Sequence, residues 1–446
     1  MNVSRLLLSA SLCGLAALPL RAAPDDGAAA VIAAATPATM PLTLDQAEMM
    51  AVANHPRVAA SQAAAQAAEQ GIREARSAFF PQVSADAIAV GVNDGKSQLA
   101  ANGSLGASTM ASRQSDGLNG TQLITDFGRT SSLTSRARHL AASEADDAAA
   151  TRAQVLLGVD QAYFNVLEAQ EIVRVADETV AARQLTLDRV NALAQGRLKS
   201  ELDVSFAKVD LGNARLLQLQ ARNGLDEAFA QLSNALGYRD ERSFQLAATE
   251  PYPPPVADLS PLLDHAFRNR PEIAALGQQT EAARKFVSAQ RAEQYPTVQA
   301  IGEAGVSPVR NSADIDGDYA AAGINLSLPL LNGGKLSAQV SEAQDRAVEA
   351  QRLLDSLEND VARDVRAVWL RATTAHRKIG VSEELLANAS ESLDLAQARY
   401  TSGLSSIVEL SQAQLNKTQA EIDVASARYD YQILAADLKY QLGDFH

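Results

Sequence analysis

The residues best suited to chemistry lie in the run Asp314-Ile315-Asp316-Gly317-Asp318, whose alternating carboxylates have the spacing of a calcium loop. Such a loop needs glycine at its sixth position and a bidentate glutamate at its twelfth. Tyr319 and Asn325 stand there instead, so the run reads as the solvated acidic tip of an external loop. The five histidines, His55, His139, His265, His376 and His446, are scattered without paired ligand spacing. There is no glycine-rich phosphate loop and no GxSxG turn to raise a nucleophilic serine. The expectation is a non-enzyme with no cofactor and no metal. A formal net charge of −14 also argues against nucleic acid as a partner.

With no reactive centre to place, the chain has to be read for its architecture. Residues 1–22 have the layout of a secretory signal: Arg5, the apolar run LLLSASLCGLAAL, then small residues at Ala22 and Ala23. The run is too short to span a bilayer. Cys13, the one cysteine, falls inside it, so the exported chain would carry none. Without Arg5 and Arg21 the net charge becomes −16. Residues 23–42 read as a flexible N-terminal segment. No later segment is an apolar run long enough for a transmembrane helix, so any membrane passage must use β-strands.

The remainder is duplicated. NHPRVAAS at 54–61 returns as NRPEIAAL at 269–276, and Pro81 in FFPQV returns as Pro296 in QYPTV, both at an offset of 215. Further on, Gly128-Arg129 matches Gly334-Lys335, Tyr163 matches Trp369 and Leu236-Gly237 matches Leu442-Gly443, now at 206. The nine-residue difference arises between Pro81 and Gly128, which marks a loop there. Residues 43–240 and 261–446 thus form two structural repeats, joined by a linker at 241–260 that holds Pro251, Pro253, Pro254 and Pro255.

Each repeat carries a long proline-free stretch with a coiled-coil rhythm. In the second, small or apolar positions recur at Val361, Val365, Val368, Ala372, Ala375, Ile379, Ser382, Leu386, Ala389, Leu393, Ala396 and Tyr400. The first shows the same steps through Val155, Val159, Ala162, Val166, Ala169, Val173, Ala176 and Val180. A doubled step of four occurs at the same place in both, a stutter that locally relaxes a left-handed supercoil. A helix from Arg129 to Gln195 would reach ~100 Å at 1.5 Å per residue, too long to be buried in a globule. Glycines at Gly196 and Gly403 stop these helices, and a second helix returns from each. The helical hairpins therefore span about 129–237 and 334–443. Thr43-Leu-Asp-Gln46 is a capping box that opens an earlier helix, and Pro56 introduces another.

Around 82–127 and 297–331 the rhythm changes to period two, most clearly in GINLSLPLL, where Ile324, Leu326 and Leu328 alternate with Asn325 and Ser327. These read as two hairpins of roughly ten-residue strands, the length that crosses an outer membrane at a tilt. Four strands cannot close a barrel, and an open edge is forbidden in lipid. If the strands span the membrane, several chains must share one barrel. The fold class expected is mainly α, with long antiparallel coiled-coil hairpins and four β-strands per protomer.

Read in order, TLDQAEMMAVANHP, ARSAFFPQV, LITDFGR, QAYFNVLEAQ, NRPEIAAL, PLLNGGK, ARYTSG and the final QLG give a sequence that resembles the TolC family of outer-membrane efflux and secretion channels over essentially the whole exported chain. The resemblance implies a homotrimer with one twelve-stranded barrel in outer-membrane lipid and a helical barrel projecting into the periplasm of a Gram-negative cell. It implies a passive exit duct for a tripartite efflux pump or a type I secretion system, opened by a periplasmic adaptor and an inner-membrane ABC or RND transporter. It also implies that the turns at Gly196 and Gly403 form the periplasmic tip, where the duct narrows to a gate. Tyr400 matches the family's gate tyrosine and Asp203 its acidic partner, which predicts a hydrogen bond between them. Ser405 stands where some members have arginine, Leu202 where they have threonine, and Gln412 where a ring aspartate can sit. Glu409 matches a common acidic position. The alternative is a soluble periplasmic coiled-coil adaptor or spacer, which should carry a lipoyl-like β domain between its hairpin helices.

Overall fold

The computed structural model of the chain describes residues 41–90, 99–100, 109–110, 113–306 and 318–445. The signal-like segment, residues 23–40, Asp314 and Asp316 therefore lie outside the described residues. The elements run α1 (Leu44–Asn54), α2 (Pro56–Ser77), β1 (Gln82–Val90), β2 (Leu99–Ala100), β3 (Thr109–Met110), β4 (Arg113–Thr125), α3 (Arg129–Gln195) and α4 (Glu201–Ala235). After the proline-rich linker come α5 (Ser260–Asn269), α6 (Pro271–Ala292), β5 (Thr297–Val306), β6 (Asp318–Ser327), α7 (Lys335–Thr401) and α8 (Ile407–Leu442). The architecture is mainly helical with one four-stranded antiparallel sheet, as composition and periodicity led one to expect.

The two long helices, α3 and α7, have 67 residues each. Most of their heptad positions are buried: Val155, Val159, Ala162, Val166, Ala176 and Val190 on α3, and Val361, Val365, Val368, Ala372, Ala375, Ala389, Ala396 and Tyr400 on α7. Ala169, Val173, Val180, Ile379, Leu386 and Leu393 are half-buried, and α3 also buries Leu156, Phe164 and Leu167 off the stripe. Small residues dominate the stripe, which lets helix backbones approach closely along a seam instead of around one central core. Near the sheet, α3 packs against α2 and α6; further away it packs against α4 and α8.

The main apolar core sits part-way along α3. There Val159, Tyr163, Phe164 and Val166 meet Ala47 and Ala51 of α1, Leu232 and Leu236 at the end of α4, and Leu42. The Tyr163 hydroxyl lies 2.8 Å from the Leu42 carbonyl and 2.7 Å from that of Ala247. Leu42 and Leu246 form a parallel bridge beside it. At the repeat-equivalent position, the Trp369 Nε1–H donates to Val256 O at 2.8 Å. The duplicated aromatic thus fastens the linker to a long helix twice, with a polar tip as well as an apolar body.

Gly237 and Gly443 end the return helices in left-handed conformation, at φ 83° and 79°. A Cβ on Gly237 would lie 2.9 Å from the backbone of Asn54 and His55; one on Gly443 would lie 2.7 Å from that of Asn269. Each glycine therefore lets the end of a return helix touch the N-terminus of the proline-led helix of its own repeat, α2 in the first and α6 in the second. Gly237→Ala and Gly443→Ala should each destabilise the protein by about 1–3 kcal/mol, from the left-handed backbone alone. Thermal melting checks this, with Gly212→Ala, mid-helix and in open space on α4, as the control that should instead gain about 0.5–1 kcal/mol.

The sheet has the order β1-β4-β5-β6, every pair antiparallel. Its register sorts the side chains by face. One face carries Gln82, Ser84, Asp86, Asn119, Thr121, Gln299, Glu303, Tyr319 and Asn325; the other carries Val83, Ala85, Leu118, Val298, Ala300, Ala304, Ala320, Ala322, Ile324 and Leu326. Ile301 and Leu123 on the polar face, Gln122 on the apolar face near a strand end, and Asp116 and Asp318 on the apolar face at the end remote from the helices break the pattern. On the polar face Asn119 Nδ2–H donates to Asp86 Oδ2 and Ser84 Oγ–H donates to the same oxygen at 3.2 Å. The apolar face lies bare: Val83, Ile324 and Leu326 are 69%, 73% and 65% exposed.

Candidate functional site

The end of the long helices remote from the sheet is where the candidate residues lie. α3 stops through a left-handed residue, but that residue is Arg197 (φ 60°), not Gly196, which keeps φ −77°. Leu198 N–H then donates to Leu193 O at 2.8 Å, closing the carbonyl end of the helix. In α7 the left-handed residue is Gly403 (φ 74°), with Leu404 N–H donating to Arg399 O at 2.8 Å. The two turns are equivalent at the 206 offset, so Gly403 corresponds to Arg197, Ser406 to Ser200 and Glu409 to Asp203. Matching Gly196 with Gly403 by residue type shifts the turns by one, and this corrects the expectation that both glycines play the same part.

Ser200 and Ser406 are the N-caps of α4 and α8, accepting at Oγ from Asp203 N–H (3.2 Å) and Glu409 N–H (3.4 Å). Asp203 completes the box: its Oδ2 accepts from Ser200 N–H at 3.0 Å and from Ser200 Oγ–H at 2.8 Å. The expected hydrogen bond from Tyr400 is accordingly absent. Asp203 is held back by the helix start it caps, and the Tyr400 hydroxyl, buried, has no hydrogen-bond partner among the described residues. Tyr400 instead packs with Leu187, Val190, Val204, Ala207, Leu211, Ile407 and Leu410, the cluster that joins both hairpins at this end. Burial raises its pKa, with the nearby Asp203 charge adding to the shift. The ammonium of Lys199 sits 4.0 Å above its ring.

Glu409 differs from its repeat counterpart. Its Oε1 lies 3.2 Å from Arg399 Nε, bridging the last turn of α7 to the first of α8. The residue types alone did not bring Arg399, Lys199 or Ser200 forward; the 206 offset, applied strictly, would have found Ser200 with Ser406. Gln412 is exposed and donates to Asn416 Oδ1 at 2.8 Å on its own helix. The Ser405 hydroxyl is buried with no partner among the described residues.

Above the turns, the seam between α3 and α8 is bridged by polar side chains. Thr179 and Thr418 hydroxyls lie 3.3 Å apart, Gln414 donates to Thr186 at 3.2 Å, and Ser426 to Glu168 at 2.7 Å. Ser411 donates to Asp210 of α4. Arg183, only 7% exposed, lies beside them with no hydrogen-bond partner for Nη1 among the described residues. Burial lowers its pKa and the Asp210 charge opposes that. Phe206, Asn213 and Leu217 of α4 face Val408, Leu415 and Gln419 of α8 across a groove of about 440 Å³, with Thr179 and Arg183 as its floor. A groove walled by two parallel runs of heptad side chains can accept a helix.

A family model described as outer membrane efflux protein matches residues 49–238 and 262–444. Outer membrane protein TolC of Salmonella enteritidis is 27% identical over 419 residues, covering 90% of this chain and 83% of its own. Outer membrane protein OprJ of Pseudomonas aeruginosa is 26% identical over 322 residues, covering 71% and 67%. Among solved structures, a membrane protein from Pseudomonas aeruginosa superposes with a TM-score of 0.76 at 25% identity, covering 90% of this chain and 93% of that one. Both repeats are matched, the long hairpins and the sheet coincide in fold with a solved relative, and the chain belongs to the outer membrane efflux protein family, alongside TolC.

Proposed function

We propose that three copies of this chain form a passive exit duct in the outer membrane, in which twelve strands close one barrel and the helices continue the duct into the periplasm. The observation that carries this reading is the sheet. It has one polar and one bare apolar face, and its outer strands β1 and β6 have no further neighbour among the described residues. Apolar exposure on that scale suits lipid, and lipid tolerates no open strand edge, so other copies must supply the missing partners. The chain is an outer-membrane protein of a Gram-negative cell, as its relatives are by name. Alkaline protease secretion protein AprF of Pseudomonas aeruginosa, 24% identical over 307 residues, stands beside the efflux relatives, so both pump and type I secretion roles fit. In either, a periplasmic adaptor would engage the helical tip and an inner-membrane ABC or RND transporter would supply cargo. The repeats 43–240 and 261–446 then contribute two near-equivalent staves per copy. The soluble adaptor reading loses support at the turns 196–200 and 402–406, which are too short to hold an inserted domain.

The test is direct. Detergent-extracted protein should be trimeric by light scattering and should form discrete conducting channels in planar bilayers. A water-soluble monomer without conductance would sink the reading.

At the tip we assign closure to the region of Asp203, Tyr400, Ser405, Glu409 and Gln412, between the turns of Gly196 and Gly403, with the Arg399–Glu409 pair bracing one hairpin. An exposed ion pair contributes about 0.2–1 kcal/mol, and three copies act together. Arg399→Ala with Glu409→Ala should therefore raise single-channel conductance modestly, and more at low salt, where the pair is strongest. Tyr400→Ala, which opens a cavity between the hairpins, should raise it further at about 3–5 kcal/mol of lost packing per copy. Unchanged conductance in both would move the constriction away from this region.

A further inference from the structure

The cross-strand row Asp86–Gly117–Gly305–Tyr319 crosses the sheet one residue from the end of β6 that is remote from the helices. Tyr319 belongs to the polar face, yet it does not stand up from it. Its hydroxyl lies 2.5 Å from where a Cβ on Gly117 would sit and 2.7 Å from where one on Gly305 would sit. The ring therefore reaches from β6 across β5 to β4, flat along the sheet. Strand side chains ordinarily stand roughly perpendicular to the sheet, and glycine inside a strand weakens it. Two adjacent glycines under one tyrosine form a recess shaped for that ring.

In a duct whose polar face lines the lumen, this row lies near the outer mouth, where β5 and β6 end while β1 and β4 run on for four more pairs past the row. We propose that the Gly117–Gly305 recess keeps the mouth clear: folded into it the Tyr319 ring leaves the mouth open, and anything that fills the recess turns the ring into the path of the cargo. Tyr319 is thereby a stowed obstruction, and the two glycines are the positioning residues that hold it out of the bore. This rests on the duct reading above. Gly117 is the better handle, because its nearest obstacle is the far end of the tyrosine and its nearest backbone atom, Ala304 O, is 3.0 Å away, whereas Gly305 meets the backbone of Asp116 and Gly117 more closely still.

The test places a thiol deeper in the duct by Gln299→Cys, on the same polar face three rows nearer the helices, with Cys13→Ser throughout. Maleimide-linked polyethylene glycols of graded mass are added to intact cells, so the polymer enters through the mouth and the state of the periplasmic tip is irrelevant. With Tyr319 in place or as Tyr319→Ala, the largest polymer that labels should be the same, since the ring is already out of the way. Gly117→Val should lower that limit by at least one polymer step, and Gly117→Val with Tyr319→Ala should restore it. A sheet merely weakened by valine would not be rescued by removing the tyrosine. An unchanged limit in Gly117→Val, or no restoration in the double variant, overturns the proposal. If Gly117→Val does not assemble, Tyr319→Trp, too large for the recess, must lower the limit, and an unchanged limit overturns it equally. Failure of even the smallest maleimide to label position 299 in any variant refutes the duct reading itself and takes this inference with it.

Discussion

Ala322→Arg should keep the protein out of the outer membrane, whereas Ala321→Arg, one residue away, should insert and assemble normally. Ala322 lies mid-strand in β6 on the apolar face, in the row of Val83, Gly120 and Gly302. An arginine facing lipid at the bilayer midplane costs ~2–4 kcal/mol, and a trimer incurs it three times. Ala321 pairs across β5 with Glu303 on the polar face, so an arginine there gains a cross-strand partner of opposite charge. Leu326 and Leu328 belong to the clearest period-two run in the sequence, yet β6 ends at Ser327. Leu326→Arg should therefore cost only ~0–1 kcal/mol, as charges do near the interfaces. The yield of heat-modifiable trimer in the outer-membrane fraction reports all three. Equal tolerance at 321 and 322 would mean that the faces are assigned the wrong way round or that the strands do not span.

The protein should lose thermal stability as pH rises from about 4 to about 8, and Asp160→Asn should abolish most of that slope. Asp160 on α3 is fully buried, with no hydrogen-bond partner for Oδ1 among the described residues. Facing it are Glu48 of α1, the Tyr252 hydroxyl of the linker at 3.4 Å, and Lys439 of α8, whose Nζ is 4.0 Å from Glu48. Burial pushes its pKa up to about 8, with the Glu48 charge adding to the rise and Lys439 and Tyr252 opposing it. Because the folded pKa lies above the unfolded value, the native state holds the extra proton between the two, and stability falls as that proton is lost. Each unit of displacement corresponds to about 1.36 kcal/mol per copy, so the effect on melting between pH 5 and pH 9 should be large. Asp160→Asn keeps the shape and removes the titration. A variant that retains the wild-type slope would place its source elsewhere.

Much of the fold was legible because helices and strands advertise their periods. The apolar stripe of α7 could be read residue by residue, since Val361, Val365, Val368, Ala372 and Tyr400 are the positions that pack. The repeat offset carried the equivalence of Tyr163 and Trp369, although not their shared hold on the linker, which depends on where a hydroxyl and an indole N–H point. The tip was less legible. A helix can stop at a non-glycine in left-handed conformation, as at Arg197, and residue type then misleads. Asp203 carries the right charge for a gate, but a carboxylate three residues after a serine has a nearer use in capping its own helix. Arg399 escaped notice because an ion pair between two helices across a turn leaves no period in the sequence.

The length of α3 has a mechanical meaning. Tyr163 and its surrounding core clamp the helix part-way along, and about 30 residues continue beyond, an arm of roughly 45–50 Å at 1.5 Å per residue. A tilt of only about 3° at that fulcrum carries the end some 2.5 Å, close to the length of a hydrogen bond. α7 extends a similar distance beyond Trp369. On so long an arm a small force applied at the far ends would produce the tilt, and the displacement near the clamped region and the sheet would be far smaller than at the tip.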